Sequence, residues 1–214
     1  MPERNTRGLA LEQLSIHLAG RRLLALDTVI RPGEVLTVMG PSGAGKSTLL
    51  AAIIGTLAPA FTLAGRIRID GDEVTGLPTE ARRIGILFQE ELLFPHLSVG
   101  GNLAFGLTPG LRGRAERRAR IEQALADVGL AGYAERDPAT LSGGERARVA
   151  LMRMLLSAPR ALLLDEAFAK LDTALRDQVR TLVFDIARRQ ALPVLQVTHD
   201  RADAAAAAGP VLQL

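Results

Sequence analysis

Nine residues constrain this chain more than any others: Gly40-Pro41-Ser42-Gly43-Ala44-Gly45-Lys46-Ser47-Thr48. They follow a short apolar stretch, Val35 to Met39 (VLTVM), and lead into Leu49-Leu50-Ala51-Ala52-Ile53-Ile54. The spacing G-x-x-x-x-G-K-[ST] between a strand and a helix builds a cradle for phosphates. Its glycines let backbone N–H groups curl around an anion, and the helix that starts near Lys46 directs its positive end at the same place. Lys46 is expected to reach the β- and γ-phosphates of a nucleotide, and Ser47 to offer its hydroxyl to Mg²⁺. The chain has only two lysines, Lys46 and Lys170, so one inside a glycine loop is informative.

Composition bounds what surrounds that loop. The 214 residues, 48% of them apolar, suffice for one domain with a substantial core. No apolar run approaches the ~18 residues that would cross a bilayer. The opening residues, MPERNTRGLALEQL, lack the apolar centre of a signal peptide, so a cytosolic chain is expected. The absence of cysteine excludes disulfides and thiolate metal sites. The basic stretch Arg112 to Arg120 (RGRAERRAR) reads as a solvated helix face, and aromatics at 3% leave little for single strands to stack on. No nucleic-acid partner is expected.

Hydropathy patterning extends the framework. Leu9 to Leu18 partly alternates, and Leu23 to Ile30 follows a turn at Ala19-Gly20-Arg21, which predicts two strands. Ser47 to Leu57 is expected to be helical, ending near Pro59. Gly65 to Asp70 alternates like an edge strand, and Asp70-Gly71 is a hairpin signal. Ile84 to Gln89 (IGILFQ) reads as a buried strand. From Glu90 to about Ala139 helical segments take over, Arg114 to Val128 most clearly. A helical insertion over about 90–139 is therefore expected within a core formed by 1–89 and 140–214. The core resumes with helix Gly144 to Leu156, strand Ala161 to Leu164, helix Leu175 to Gln190 and strand Val194 to Val197. The run Ala204 to Ala208 suits a short helix or a low-complexity tail. Strands and helices that alternate, with short apolar strands, imply a parallel sheet covered on both faces. The fold class is α/β, with an antiparallel β portion at the N-terminal end.

Two further stretches carry chemistry. Ala161-Leu162-Leu163-Leu164-Asp165-Glu166 is an apolar strand ending in two acids. Neighbouring acids at a strand end point in different directions, so Asp165 suits a Mg²⁺ ion held through water and Glu166 suits an attacking water. Between the glycine loop and these acids lies Leu141-Ser142-Gly143-Gly144-Glu145, a glycine turn entering the basic and apolar run Arg146-Ala147-Arg148-Val149-Ala150-Leu151.

In this order and at these intervals, the motifs resemble those of the nucleotide-binding subunits of ATP-binding cassette (ABC) transporters, over nearly the whole chain. Leu141 to Glu145 stands where that family has LSGGQ, with Glu145 in place of Gln. Gln89 matches the Q-loop, Ala169-Lys170-Leu171-Asp172 the D-loop, and Thr198-His199-Asp200 the switch histidine. The resemblance implies a P-loop NTPase (RecA-like) core and a Mg²⁺-dependent ATPase whose ligands are ATP and Mg²⁺. It also implies a head-to-tail homodimer in which Ser142, Gly143, Gly144 and Glu145 act on the nucleotide held by the partner's glycine loop. Glu166 would be the general base, His199 would meet the γ-phosphate, and Gln89 would touch Mg²⁺ and the water.

Within the family, Leu93-Phe94-Pro95-His96-Leu97-Ser98-Val99 and Asn102 to Leu107 are similar to importer ATPases for sugars, polyamines, sulfate, iron and thiamine. Ile84 to Leu93 and Asp137 to Leu151 most resemble the YnjD-type branch. Such subunits lie on the cytoplasmic face of the cell membrane beneath permease subunits, in systems with a periplasmic or extracellular solute-binding protein. Phe94, Pro95, Leu97 and Val99 are candidates either for receiving the permease or for packing the insertion. A cassette serving an exporter or a non-transport membrane process is the alternative.

Three departures qualify the resemblance. The family usually places an aromatic ring near the end of the first strand, against the base; here the residues are His17-Leu18-Ala19-Gly20, and the first aromatic is Phe61. Weak discrimination between ATP and GTP is therefore expected, with His17 or an arginine as candidate substitutes. Ala167 follows Glu166 where proline is common, which loosens the backbone but removes no catalytic group. The residues after His199 leave no room for a regulatory domain, so regulation of that kind is not expected.

Overall fold

The computed structural model describes residues 7–90, 92–108, 110–111 and 113–214. In chain order the elements are β1 (Leu9–Leu18), β2 (Arg21–Ile30), β3 (Val35–Met39), α1 (Lys46–Ile54), β4 (Phe61–Ile69), β5 (Asp72–Glu73), α2 (Thr79–Arg82) and β6 (Ile84–Leu87). They continue with α3 (Val99–Gly106), α4 (Arg114–Asp127), a 3₁₀ turn (Pro138–Thr140), α5 (Gly143–Leu155), β7 (Ala161–Asp165), α6 (Thr173–Arg189), β8 (Val194–Thr198), α7 (Arg201–Ala207) and β9 (Val211–Gln213). The chain forms two compact units: residues 1–86, 160–166 and 184–214 make the first, and 87–159 with 167–183 the second. The second unit thus takes in α5 and the start of α6 as well as the helical stretch.

The first unit holds two sheets. One has the order β2-β1-β4-β5, its neighbours antiparallel. The other has the order β6-β7-β8-β3-β9, with β7, β8, β3 and β9 pairing in parallel. Every residue of β3 and β8 is buried, which requires cover on both faces. On one face α1 joins Leu36, Val38, Leu163, Leu195 and Val197 with the inner residues of the antiparallel sheet in a single core.

The imperfect alternation of Leu9 to Leu18 has a structural cause. Pairing on both sides of β1 slips between residues 11–12 and 14–15, and Gln13 takes a left-handed φ of 46°. This is a β-bulge, and it moves the inward phase from Leu9 and Leu11 to Leu14 and Ile16. Gly65 faces it on β4; a Cβ there would lie 2.4 Å from the Gln13 carbonyl oxygen. β4 is not an edge strand, since it lies between β1 and the two-residue β5.

Helix α1 stops at Gly55, earlier than Pro59 suggests. Gly55 has φ 92° and its N–H donates to Ala51 O. The next carbonyls are met by a buried arginine: Arg82 Nη1 donates to Ala52 O at 2.9 Å and Ile53 O at 2.8 Å. Arg82 Nη2 and Nε reach Thr75 O and Leu77 O. One guanidinium thus satisfies the end of the helix that carries the glycine loop.

In the second unit α3 packs on α5 and α4. A Cβ on Gly106 would lie 2.0 Å from the Arg153 carbonyl oxygen, so α3 and α5 approach at backbone distance there. The fully buried Asn102 pins the preceding loop, accepting from Phe94 N at 2.8 Å and donating to the Phe94, Leu97 and Ser98 carbonyls. Val99 is fully buried and packs the interior of this unit, whereas Phe94 is half-buried against Phe105, which is 71% exposed. Pro95 is exposed and Leu97 half-buried.

Candidate functional site

The glycine loop lies between β3 and α1, in the first unit. Gly43 and Gly45 take φ values of 82° and 90°, a left-handed region that resists other residues. Lys46 is buried, with its ammonium held by the loop itself, donating to Gly40 O at 2.7 Å and Pro41 O at 2.9 Å. Ser47 is exposed beside it. The lysine is thus already aimed across the loop.

A cavity of about 410 Å³ opens over this loop. Its polar side runs from Ser42 to Thr48 and includes Glu166; its apolar side is Leu18, Leu23 and Phe61. Glu166 stands immediately after β7 with a left-handed φ of 46° and donates its backbone N–H to Val197 O at 3.1 Å. Such a conformation in a residue other than glycine costs on the order of 1 kcal/mol and is held only by its surroundings. Here it presents the carboxylate 3.2 Å from His199 Nδ1. Asp165, one residue earlier, is half-buried, and its carboxyl is pushed above the ordinary range by burial and by the Glu166 charge, with Lys46 opposing.

His199 sits where β8 passes into α7, and the surrounding polar groups fix that corner. Asp200 N-caps α7 by accepting from Ala202 N at 2.7 Å, and Thr198 Oγ1 accepts from Asp200 N at 3.0 Å. His17 lies one residue out of phase with Leu18 on β1, so the two point to opposite faces and His17 is absent from the cavity wall.

Ser142, Gly143, Gly144 and Glu145 lie in the second unit, at the start of α5. They form a reciprocal capping box: Glu145 N donates to Ser142 Oγ at 3.3 Å, while Ser142 N donates to Glu145 Oε2 at 2.7 Å. The backbone N–H and hydroxyl of Ser142, then Tyr133, hold the Glu145 carboxyl below its usual range. The two glycines differ. A Cβ on Gly143 would make only ordinary contacts, its nearest neighbour 3.9 Å away, whereas a Cβ on Gly144 would meet Leu175 Cδ1 at 2.2 Å. Gln89 is also in the second unit; β6 ends at Leu87 rather than at Gln89, which is exposed. In the D-loop, Asp172 accepts from Leu175 N at 3.1 Å and so caps α6, and Lys170 pairs with Glu90. Sequence reading misses Arg82 as an organiser, because the Ala52 and Ile53 carbonyls that it joins lie about thirty residues away and reach it only on folding, whereas the Asp200 cap is a local signal.

Among the described residues, no group of three or more His, Cys, Asp or Glu side chains gathers as a metal cage. The donor set that is present, the Ser47 hydroxyl and the Asp165 carboxylate, is all oxygen. It suits Mg²⁺, which keeps waters and substrate phosphates in its shell.

The family model described as "ABC transporter" matches residues 23–169, a span that includes the glycine loop, the capping box and both acids. The chain belongs to the ABC transporter family. It is an ATP-binding subunit and hydrolyses ATP, as the family's members of this type do. It is similar to the uncharacterized ABC transporter ATP-binding protein YnjD of Escherichia coli K12, with 50% identity over 196 residues, 91% of this chain and 90% of YnjD. It is 48% identical over 196 residues to the thiamine import ATP-binding protein ThiQ of Cereibacter sphaeroides, spanning 92% of this chain and 83% of ThiQ. It is 44% identical over 209 residues to the Fe(3+) ions import ATP-binding protein FbpC of Streptomyces coelicolor, spanning 95% of this chain and 58% of FbpC. No helix among the described residues of this ABC subunit is long and apolar enough to cross a membrane.

Proposed function

We propose that this ATPase drives solute import and works as a head-to-tail homodimer on the cytoplasmic face of permease subunits, with an external solute-binding protein in the same system. Relatives whose names state import support the direction. The exposed Phe105 and Leu92, with Phe94 held beside Phe105, offer the second unit's apolar surface to the permease. Solute choice belongs to the permease and the binding protein.

The observation that carries the catalytic reading is the grouping of Lys46, Asp165, Glu166 and His199 around one loop. Gly40 to Thr48 would cradle the triphosphate, and Lys46 would leave the Gly40 and Pro41 carbonyls for the β- and γ-phosphate oxygens. Ser47 and Asp165 would hold Mg²⁺, with Gln89 a further candidate ligand; the ion would supply charge neutralisation at the phosphates. Glu166 would take the proton of the attacking water, and His199, 3.2 Å away, would orient that carboxylate and meet the γ-phosphate. General-base action of this kind is worth roughly 10²–10⁴-fold in rate. Ser142 and Gly143 would face the γ-phosphate of the second copy, at the start of α5, where a helix N-terminus favours an anion.

The test is Glu166→Gln in the subunit co-purified with its permease. The variant should trap an ATP-bound dimer with turnover reduced at least a hundredfold, and Lys46→Ala should not bind ATP well. Ser142→Arg should abolish turnover while ATP binding at Lys46 persists. Full turnover by Glu166→Gln sinks the catalytic assignment, and ATP-independent uptake in vesicles carrying the complete system sinks the transport role.

A further inference from the structure

We propose that Phe61, on β4, is the side chain on which the nucleotide base stacks, and that this platform accepts purines without reading their edges. The inference rests on the glycine loop holding the triphosphate. With the phosphates there, the base must lie along the rest of the same cavity, whose apolar side is Leu18, Leu23 and Phe61. Of these three only Phe61 has a π-face.

Its position is built by the sheet. Phe61 is directly opposite Leu18 in the antiparallel β1–β4 pair, so both side chains stand on the same face. The bulge at Gln13 and Gly65 makes that face the cavity side: it brings Leu14, Ile16 and Leu18 into one phase and turns His17 away. Without the slip, His17 would take the place of Leu18. The ring is also held in advance. Phe61 N donates to Ala58 O at 3.0 Å, and part of the side chain packs on the core. Leu23 joins this wall to the loop, since a Cβ on Gly45 would lie 3.1 Å from Leu23 Cδ2.

The wall has no side-chain donor or acceptor. A surface of two leucines and one ring gains from any flat base and gains nothing from distinguishing the amino group of adenine from the carbonyl of guanine. Affinity for ATP and GTP should therefore be similar, and both should depend on Phe61.

The experiment compares equilibrium binding of ATP, GTP and inorganic tripolyphosphate to the wild-type subunit and to Phe61→Ala, Phe61→Leu and Phe61→Trp. Wild type should bind ATP and GTP within about threefold of each other. Phe61→Ala and Phe61→Leu should lose roughly tenfold for both nucleotides, the size expected for one stacked base. Phe61→Trp should retain them. Tripolyphosphate, which has no base, should bind all four proteins equally and so reports an intact loop. The leucine variant keeps apolar packing and separates stacking from folding. The stacking role is overturned by unchanged ATP affinity in Phe61→Leu, or by a parallel loss for tripolyphosphate. An ATP preference of a hundredfold over GTP overturns the claim of edge-blind recognition. A wild-type chain that binds neither ATP nor tripolyphosphate overturns the phosphate-loop reading and this inference with it.

Discussion

The two glycines at the start of α5 look alike in sequence, yet the structure gives them separate duties that a pair of alanine substitutions can resolve. A Cβ on Gly144 would lie 2.2, 2.6 and 2.7 Å from Cδ1, Cδ2 and Cγ of Leu175. Ordinary carbon contacts are at about 3.5–4.0 Å, so Leu175 must retreat by more than about 1 Å. Overpacking of that size costs about 1–3 kcal/mol. Replacing glycine by alanine in a helix recovers at most about 1 kcal/mol, and less in the first turn. The net expectation for Gly144→Ala is a loss of about 1–2 kcal/mol, or roughly 3–6 °C in Tm for a chain of this length. Gly143→Ala meets nothing closer than Arg146 Nη2 at 3.9 Å and should be neutral or up to about 1 kcal/mol stabilising. Urea unfolding of both variants reads the difference. Leu175→Ala added to Gly144→Ala should restore part of the loss, giving a coupling energy above about 0.5 kcal/mol, the limit for independent sites. Equal stability of the two glycine variants, or simple additivity with Leu175→Ala, would refute the packing argument. Turnover should sort the other way: if Ser142 and Gly143 face the γ-phosphate of the second copy, Gly143→Ala is the folded but catalytically impaired variant.

Three further outcomes are expected. Arg82→Ala should destabilise the chain by about 3 kcal/mol, measured by denaturant unfolding, since it strands the carbonyls of Ala52 and Ile53; Arg82→Lys should rescue little, because an ammonium cannot reproduce the fork. The Glu145 carboxyl is depressed below its ordinary 4.5 in the folded state, so its capping contribution is present above that pH and lost as pH falls through the lower folded value. Acid unfolding should accordingly be less steep in Glu145→Gln, which keeps a neutral capping box. Asp165 shows the opposite shift, so its charge opposes folding as pH rises; Asp165→Asn should raise the Tm of the nucleotide-free protein at pH 7 while abolishing Mg²⁺-dependent turnover.

Much of the framework is legible in the sequence because it rests on local chemistry. The strand limits of β1 and β3 agree with the hydropathy pattern, and α4, α5 and α6 begin and end within two residues of expectation. What the pattern misses depends on long-range pairing. Gln89 lies past the end of β6, which is an edge strand and stops pairing at Leu87. β9, only three residues long, has no periodicity to detect and exists because β3 offers it a parallel edge. Val99, a candidate for the permease-facing surface, is fully buried, because Ser98 caps α3 and turns the following residue inward.

The sequence by itself determined the chemistry: a phosphate loop needs its glycines and lysine in fixed order, and two acids after an apolar strand can only emerge at its end. Those requirements are set by backbone geometry over a few residues. Tertiary structure decided which side chains meet. It turned Glu166 toward His199 through a left-handed backbone that no local pattern announces. It also chose Phe61 over His17 for the cavity wall, because one extra residue in β1 reverses the phase of everything after it. That choice rests on a pairing between strands far apart in the chain, and such a pairing exists only once the sheet has formed.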